Sequence, residues 1–202
     1  MARWSVRPEG AGSDGVAVRL PGWVRELLAS QAGQLAELVG GGAPGAAAGA
    51  AAADPDDPFA GLLPPERAPA PPQDEVLARL FPSAYDETEA EAAGEFRRLT
   101  EGDLRAGVLE RAHRLAATAG EERLSGADAQ AWLLAVNDLR LALGARLGLR
   151  SDHDAERLMA DAPAGSPVAV ALQVQASFGH VQSLLVEALD AIDARRPPPY
   201  RA

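Results

Sequence analysis

Cysteine is absent from the 202-residue chain, which excludes disulfides, thiolate catalysis and the usual structural zinc sites together. Lysine is absent too, so all 19 basic residues are arginine, a usage that suits GC-rich coding as well as any physical demand. Aromatic residues make up only 4%, and much of the 47% hydrophobic content is alanine, so the apolar volume available for a core is small. Positive charge is in short supply: a net charge of −10 repels a phosphate backbone at long range, and no local basic face offsets it. Nucleic acid is therefore not an expected partner. No apolar run approaches the ~20 residues that a membrane span needs, and no basic-then-apolar leader precedes "MARWSVRPEG". The expected location is the cytoplasm, with no membrane contact.

What is present reads mainly as helix. The segments "RWSVRP" and "GVAVRL" alternate apolar with polar around the turn-rich "EGAGSDG", which predicts a two-stranded hairpin. A lone hairpin is marginal in water and must lie on something. The helix "GWVRELLASQAGQLAELV" follows, with Val24, Leu27, Leu28, Leu35 and Leu38 at helical spacing and Gly40 as its stop. Residues 1–39 thus form a hairpin and first helix packed on the remainder. Residues 40–72 are Gly, Ala, Pro and Asp with almost no periodicity, and are expected to be a disordered linker carrying one apolar island at Phe59, Leu62 and Leu63. Gly40, Gly42 and Gly45 match the spacing of a dinucleotide-binding loop, but they follow a helix and include Pro44, so the match is accidental.

A helical bundle is expected over 73–194, with a flexible tail at 195–202. "QDEVLARLF" forms a short helix ended by Pro82. Glu89, Ala92, Phe96 and Leu99 share one face, and Thr100 with Asp103 resembles a capping box opening a new helix whose stripe is Leu104, Val108, Ala112 and Leu115. Ser125 with Asp128 repeats the device and opens a helix carrying Ala129, Trp132, Val136, Leu139, Leu143 and Leu147, with Gly148 as its stop. Ser166 as cap and Pro167 at the first helical position launch the last helix, to about Ala194. Its seam of Ala171, Val174, Phe178, Val181, Leu185, Ala188 and Ile192 demands a partner, within the bundle or in a second copy; a homodimer through 167–194 is one solution. The fold class is mainly α: a helical bundle of four to five helices with a small N-terminal β-hairpin and a disordered Ala/Gly/Pro-rich insert.

The stretch "SAYDETEAEAAGEFRRLTEGDLRAGVLERA", with "AWLLAVNDLRLALGARLG" and a long closing helix, resembles an actinobacterial family of unknown function. The gene of that family commonly sits beside the one for the Clp-protease adaptor ClpS. The likeness is close over about 75–192 and looser before it, and "EFRRLT" and "NDLR" with "LGARLG" carry it. The resemblance implies a predominantly helical cytoplasmic protein and brings no catalytic residues. It suggests a link to regulated proteolysis or to sulfur-carrier and metallopeptidase genes nearby.

The most unusual polar residue is Arg140, which falls inside the apolar arc of its helix, whereas Asp138 points nearly the opposite way. Arginine cannot shed its charge, so it must reach outward or meet a carboxylate. Glu89, Glu95 and Asp103 are the candidates for a structural ion pair. In the sharper reading, Arg140 with Asn137 and Arg146 forms a site for an anion or acidic peptide, which Arg97 and Arg98 could join, although adjacent arginines on an amphipathic helix usually point to solvent. Asp152, His153, Asp154 and Asp161 could gather a cation, but a solvated acidic loop is far more common. No nucleophile elbow and no His-x-x-x-His pairing occurs. Trp132 reads as core, while Trp4 and Trp23 read as the joint between hairpin and bundle.

The expected function is a non-enzymatic protein-interaction module, with the Clp adaptor system as the specific partner and no cofactor or metal. A transcriptional regulator and a metal-dependent hydrolase are the alternatives; a clear helix-turn-helix with a basic second helix is missing for the first.

Overall fold

The computed structural model describes residues 4–10, 12–41, 72–83 and 89–195. Most of the expected 40–72 linker, including its Phe59, Leu62 and Leu63 island, lies outside the described residues, as does the tail beyond Arg195. The chain begins with the hairpin of β1 (Ser5–Pro8) and β2 (Val16–Arg19), paired antiparallel with Val6 opposite Val18. Val6, Val16 and Val18 all turn inward and are buried, as the alternation requires. α1 (Gly22–Gly41) follows and runs through the expected stop at Gly40. α2 (Glu75–Leu80) is capped by Asp74, whose carboxylate accepts from the backbone N–H groups of Val76 and Leu77.

α3 (Ala90–Thr118) is one continuous helix, which corrects the expected break near Thr100. Thr100 is no cap: its hydroxyl donates to the Phe96 carbonyl one turn back at 2.8 Å, so it is satisfied without interrupting the helix. A two-residue strand that the sequence did not suggest, β3 (Arg123–Leu124), then pairs with β2 and completes a three-stranded sheet in the order β1-β2-β3. α4 (Gly126–Arg146) starts at the Ser125 cap and ends before Gly148, whose φ of +68° is the left-handed conformation glycine adopts cheaply. α5 (Asp152–Asp161) replaces the expected acidic loop: Ser151 and Asp154 form a reciprocal capping box, and their hydrogen bonds hold the Asp154 carboxyl below the ordinary aspartate range. α6 (Pro167–Asp193) begins at the Ser166 cap with Pro167 at its first position.

Six helices are therefore present among the described residues. α4 is the axis of the bundle, packed against α3 on one side and α6 on another, with α1 and α2 also against it. The core is continuous from the hairpin valines through Leu28 and Val39 of α1 and Trp132 and Val136 of α4 to Phe178, Val181 and Leu185 of α6. The seam of α6 is thus filled within one chain, by α4 and β1. No helix of the described residues is long and apolar enough to cross a membrane.

Candidate functional site

Arg140 sits where α4 meets α6, and its partner there is an amide. Its Nη1 donates to the Oε1 of Gln182. The Gln182 Nε2 in turn donates to Asn137 Oδ1 at 3.4 Å, and Gln175 Nε2 donates to the Arg140 carbonyl at 3.3 Å. Gly179 of α6 faces the guanidinium: a Cβ built there would lie in ordinary van der Waals contact with it, 3.7–3.9 Å from Nε, Cζ and Nη2. Two buried polar atoms in this seam have no hydrogen-bond partner, Arg140 Nε and Gln175 Oε1.

Of the residues singled out as partners of Arg140, the structure brings only Asn137 near it, through their shared contact with Gln182. Arg146 lies on another side of α4, at the rim of a groove that Leu35 and Leu38 of α1 form with Leu139 and Leu143. None of the three candidate carboxylates meets Arg140. Glu95 is bound by Arg98 on α3, which lowers the carboxyl pKa and raises that of the guanidinium. Glu89 and Asp103 are exposed on the same helix. Among the described residues Arg140 has no carboxylate at ion-pair distance.

Three arginine networks were not anticipated. Arg97 and Arg105 both bind Glu101, at 3.0 and 2.8 Å; Glu101 and Arg105 are buried and Arg97 is half-buried instead of facing solvent. Arg105 also donates to the Val39 carbonyl near the end of α1 and lies over the Phe81 ring at 4.8 Å, tying α1, α2 and α3 together. The i, i+4 spacing of Arg97, Glu101 and Arg105 was visible in the sequence; their burial was not. Asp138 is also buried, against expectation, and receives Arg111 from α3. Burial raises the Asp138 pKa above the ordinary aspartate value, against the pull of the Arg111 guanidinium. Arg25 of α1 donates to the carbonyls of Val18, Leu20, Ala119 and Glu121, joining β2 to the end of α3 without a carboxylate.

With charge turned inward, the first half of α3 turns apolar residues outward. Leu99 and Leu104 are 52% and 51% exposed and flank Phe96, whereas Glu101 and Arg105 are 4% and 6% exposed. At about 100° per residue, Phe96 lies opposite the Arg105, Val108 and Ala112 face, so the expected stripe of Ala92, Phe96 and Leu99 points away from the core. α3 has 29 residues and α1 has 20, so α3 exceeds α1 by about 13 Å of helix. Elsewhere, Trp4 packs edge-on against Trp23 with ring centres 5.7 Å apart, and His180 of α6 closes on Trp4 at 5.4 Å. Trp4 and Trp23 do form the joint of hairpin and bundle. Among the described residues no group of three or more His, Asp or Glu is placed to hold a metal ion.

The fold and these sites define a small, mainly helical protein with an N-terminal hairpin, built around internally paired arginines. The chain belongs to the family described as Domain of unknown function (DUF2017), whose family model matches residues 1–189. No curated protein and no solved structure matches the chain.

Proposed function

We propose that this chain works in the cytoplasm as a non-enzymatic protein-interaction module, and that its partner belongs to the Clp adaptor system or to the sulfur-carrier and metallopeptidase proteins encoded nearby. The observation that carries the interaction reading is the outward face of α3, where Leu99 and Leu104 remain exposed while Glu101 and Arg105 are buried behind them. A helix that hides its charges and shows its leucines has a face suited to another surface, since burying a leucine contributes roughly 1.5–3 kcal/mol. Single exposed apolar residues are ordinary; a charge-in, apolar-out segment at the end of a bundle is not. The choice of partner rests on the gene neighbourhood that the resemblance brings, which is association and not geometry. A second copy meeting α6 would find its seam filled and only outward residues such as Val170 and Val186 available.

The test is a titration of the full chain with the purified Clp adaptor, alongside the Leu99→Gln/Leu104→Gln variant. The reading expects binding by the wild type, loss of binding in the variant and an unchanged melting temperature. Absence of binding to the adaptor removes that partner, and a variant that binds as well as wild type removes the α3 face.

A further inference from the structure

We propose that Arg140 is the binding point for an oxyanion, a carboxylate or phosphate group that reaches the junction of α4 and α6. This goes beyond the α3 surface and does not depend on it. Among the described residues, each buried or half-buried arginine of α3 that faces the bundle has an acid: Arg97 and Arg105 share Glu101, and Arg111 has Asp138. Arg25 lacks one but is engaged by four carbonyls. Arg140 has neither. Among the described residues its one acceptor is the neutral amide oxygen of Gln182, and its Nε is enclosed without an acceptor.

A guanidinium presents its N–H groups as a planar fork that matches two oxygens of one carboxylate or phosphate. Here Gln182 holds one prong, Nη1, and is itself oriented by Asn137. The edge formed by Nε and Nη2 is left without a protein acceptor. That edge lies beside Gly179 of α6, so binding requires the long side chain to swing it outward to meet the anion. The rim is semi-apolar. α4 and α6 run antiparallel here, since Arg140 meets Gln175 and Gln182 while Asn137 also meets Gln182. One turn from the Asn137–Gln182 contact therefore lie the exposed Leu134 of α4 and Val186 of α6. A half-buried charge in an interhelical seam carries a desolvation cost that the single amide of Gln182 offsets only in part, and among the described residues no acid answers it. An anion from outside supplies the missing acceptors.

The experiment follows the side-chain Nε–H resonance of Arg140 in the full-length protein during titration with inorganic phosphate and, separately, with a short glutamate-containing peptide, against chloride at equal ionic strength. A saturable shift with either probe, absent with chloride, is expected; a response to phosphate alone assigns a free oxyanion, and a response to the peptide alone assigns an acidic side chain of a partner. Arg140→Met should weaken binding by about tenfold or more, and Arg140→Lys by less, because a lysine keeps the charge without the fork. A resonance that stays fixed with both probes, or equal binding by Arg140→Met, overturns the proposal. If Arg140→Met fails to fold, the wild-type resonance decides alone.

Discussion

Arg111 of α3 and Asp138 of α4 form an ion pair in which the carboxylate side chain is 8% exposed and the guanidinium 25% exposed. The two ends of the pair are therefore not equivalent. Removing the arginine strands a charge inside, whereas removing the aspartate leaves an arginine that can reach water. Arg111→Met is expected to cost about 3 kcal/mol at neutral pH, and Asp138→Asn about 1 kcal/mol. The pH dependence has a definite sign. An acid whose pKa is raised in the folded state favours folding when protonated, and that contribution is lost as pH rises through the raised value. The deficit of Arg111→Met should accordingly shrink as pH falls into the carboxylate range, which urea unfolding across pH would show.

Trp132 is fully buried in the second turn of α4, and its indole Nε1 donates to Thr118 Oγ1 at 2.7 Å. Thr118 also donates its own proton to the Arg114 carbonyl at 2.7 Å, so its oxygen is free to accept. Thr118→Val keeps the shape and orphans a buried N–H. We expect a loss of about 1–2 kcal/mol in chemical denaturation, with Thr118→Ser retaining most of the stability.

Among the described residues Glu101 is the one carboxylate that binds both Arg97 and Arg105, in the network at the end of α1. Glu101→Gln leaves two enclosed cations facing each other, with an expected cost of about 3 kcal/mol and faster amide hydrogen exchange over 90–104. Glu95→Gln breaks a more exposed pair on the same helix and should leave the unfolding midpoint where it is.

Gly126 and Gly33 separate backbone crowding from helix propensity. A Cβ at Gly126 would stand 2.8 Å from the Asp14 carbonyl, a backbone atom that cannot swing away, so Gly126→Ala should destabilise by about 1–3 kcal/mol. At Gly33, inside α1, nothing lies within 4 Å of the added methyl. Gly33→Ala should stabilise by about 0.5–1 kcal/mol, and paired thermal melts test both.

Much of the fold was legible because its signals are local. The caps at Ser125 and Ser166, the stop at Gly148 and the alternation of Val16 and Val18 each depend on a few neighbouring residues, and all appear as expected. The errors have local causes as well. Thr100 and Asp103 looked like a helix start because a threonine followed by an acid is the same string whether it caps a helix or decorates its middle. Ser151 and Asp154 are a true capping box that opens α5, hidden in a stretch acidic enough to pass for a loop.

The candidate site was less legible. Helical spacing singled out Arg140 and Asn137, but Gln182 is 42 residues from Arg140 and Gln175 is 35, with nothing in their own segment to announce the pairing. Spacing likewise placed Arg97, Phe96 and Asp138 by hydrophobic expectation, and tertiary packing reversed all three.

The sequence by itself determined where α4 and α6 begin, how the hairpin alternates, and that no thiol chemistry is available, because each follows from covalent identity and short-range periodicity. Tertiary structure decided which charges turned inward. That choice depends on which acid, amide or carbonyl another element delivers, which is set by long-range packing and absent from any local pattern.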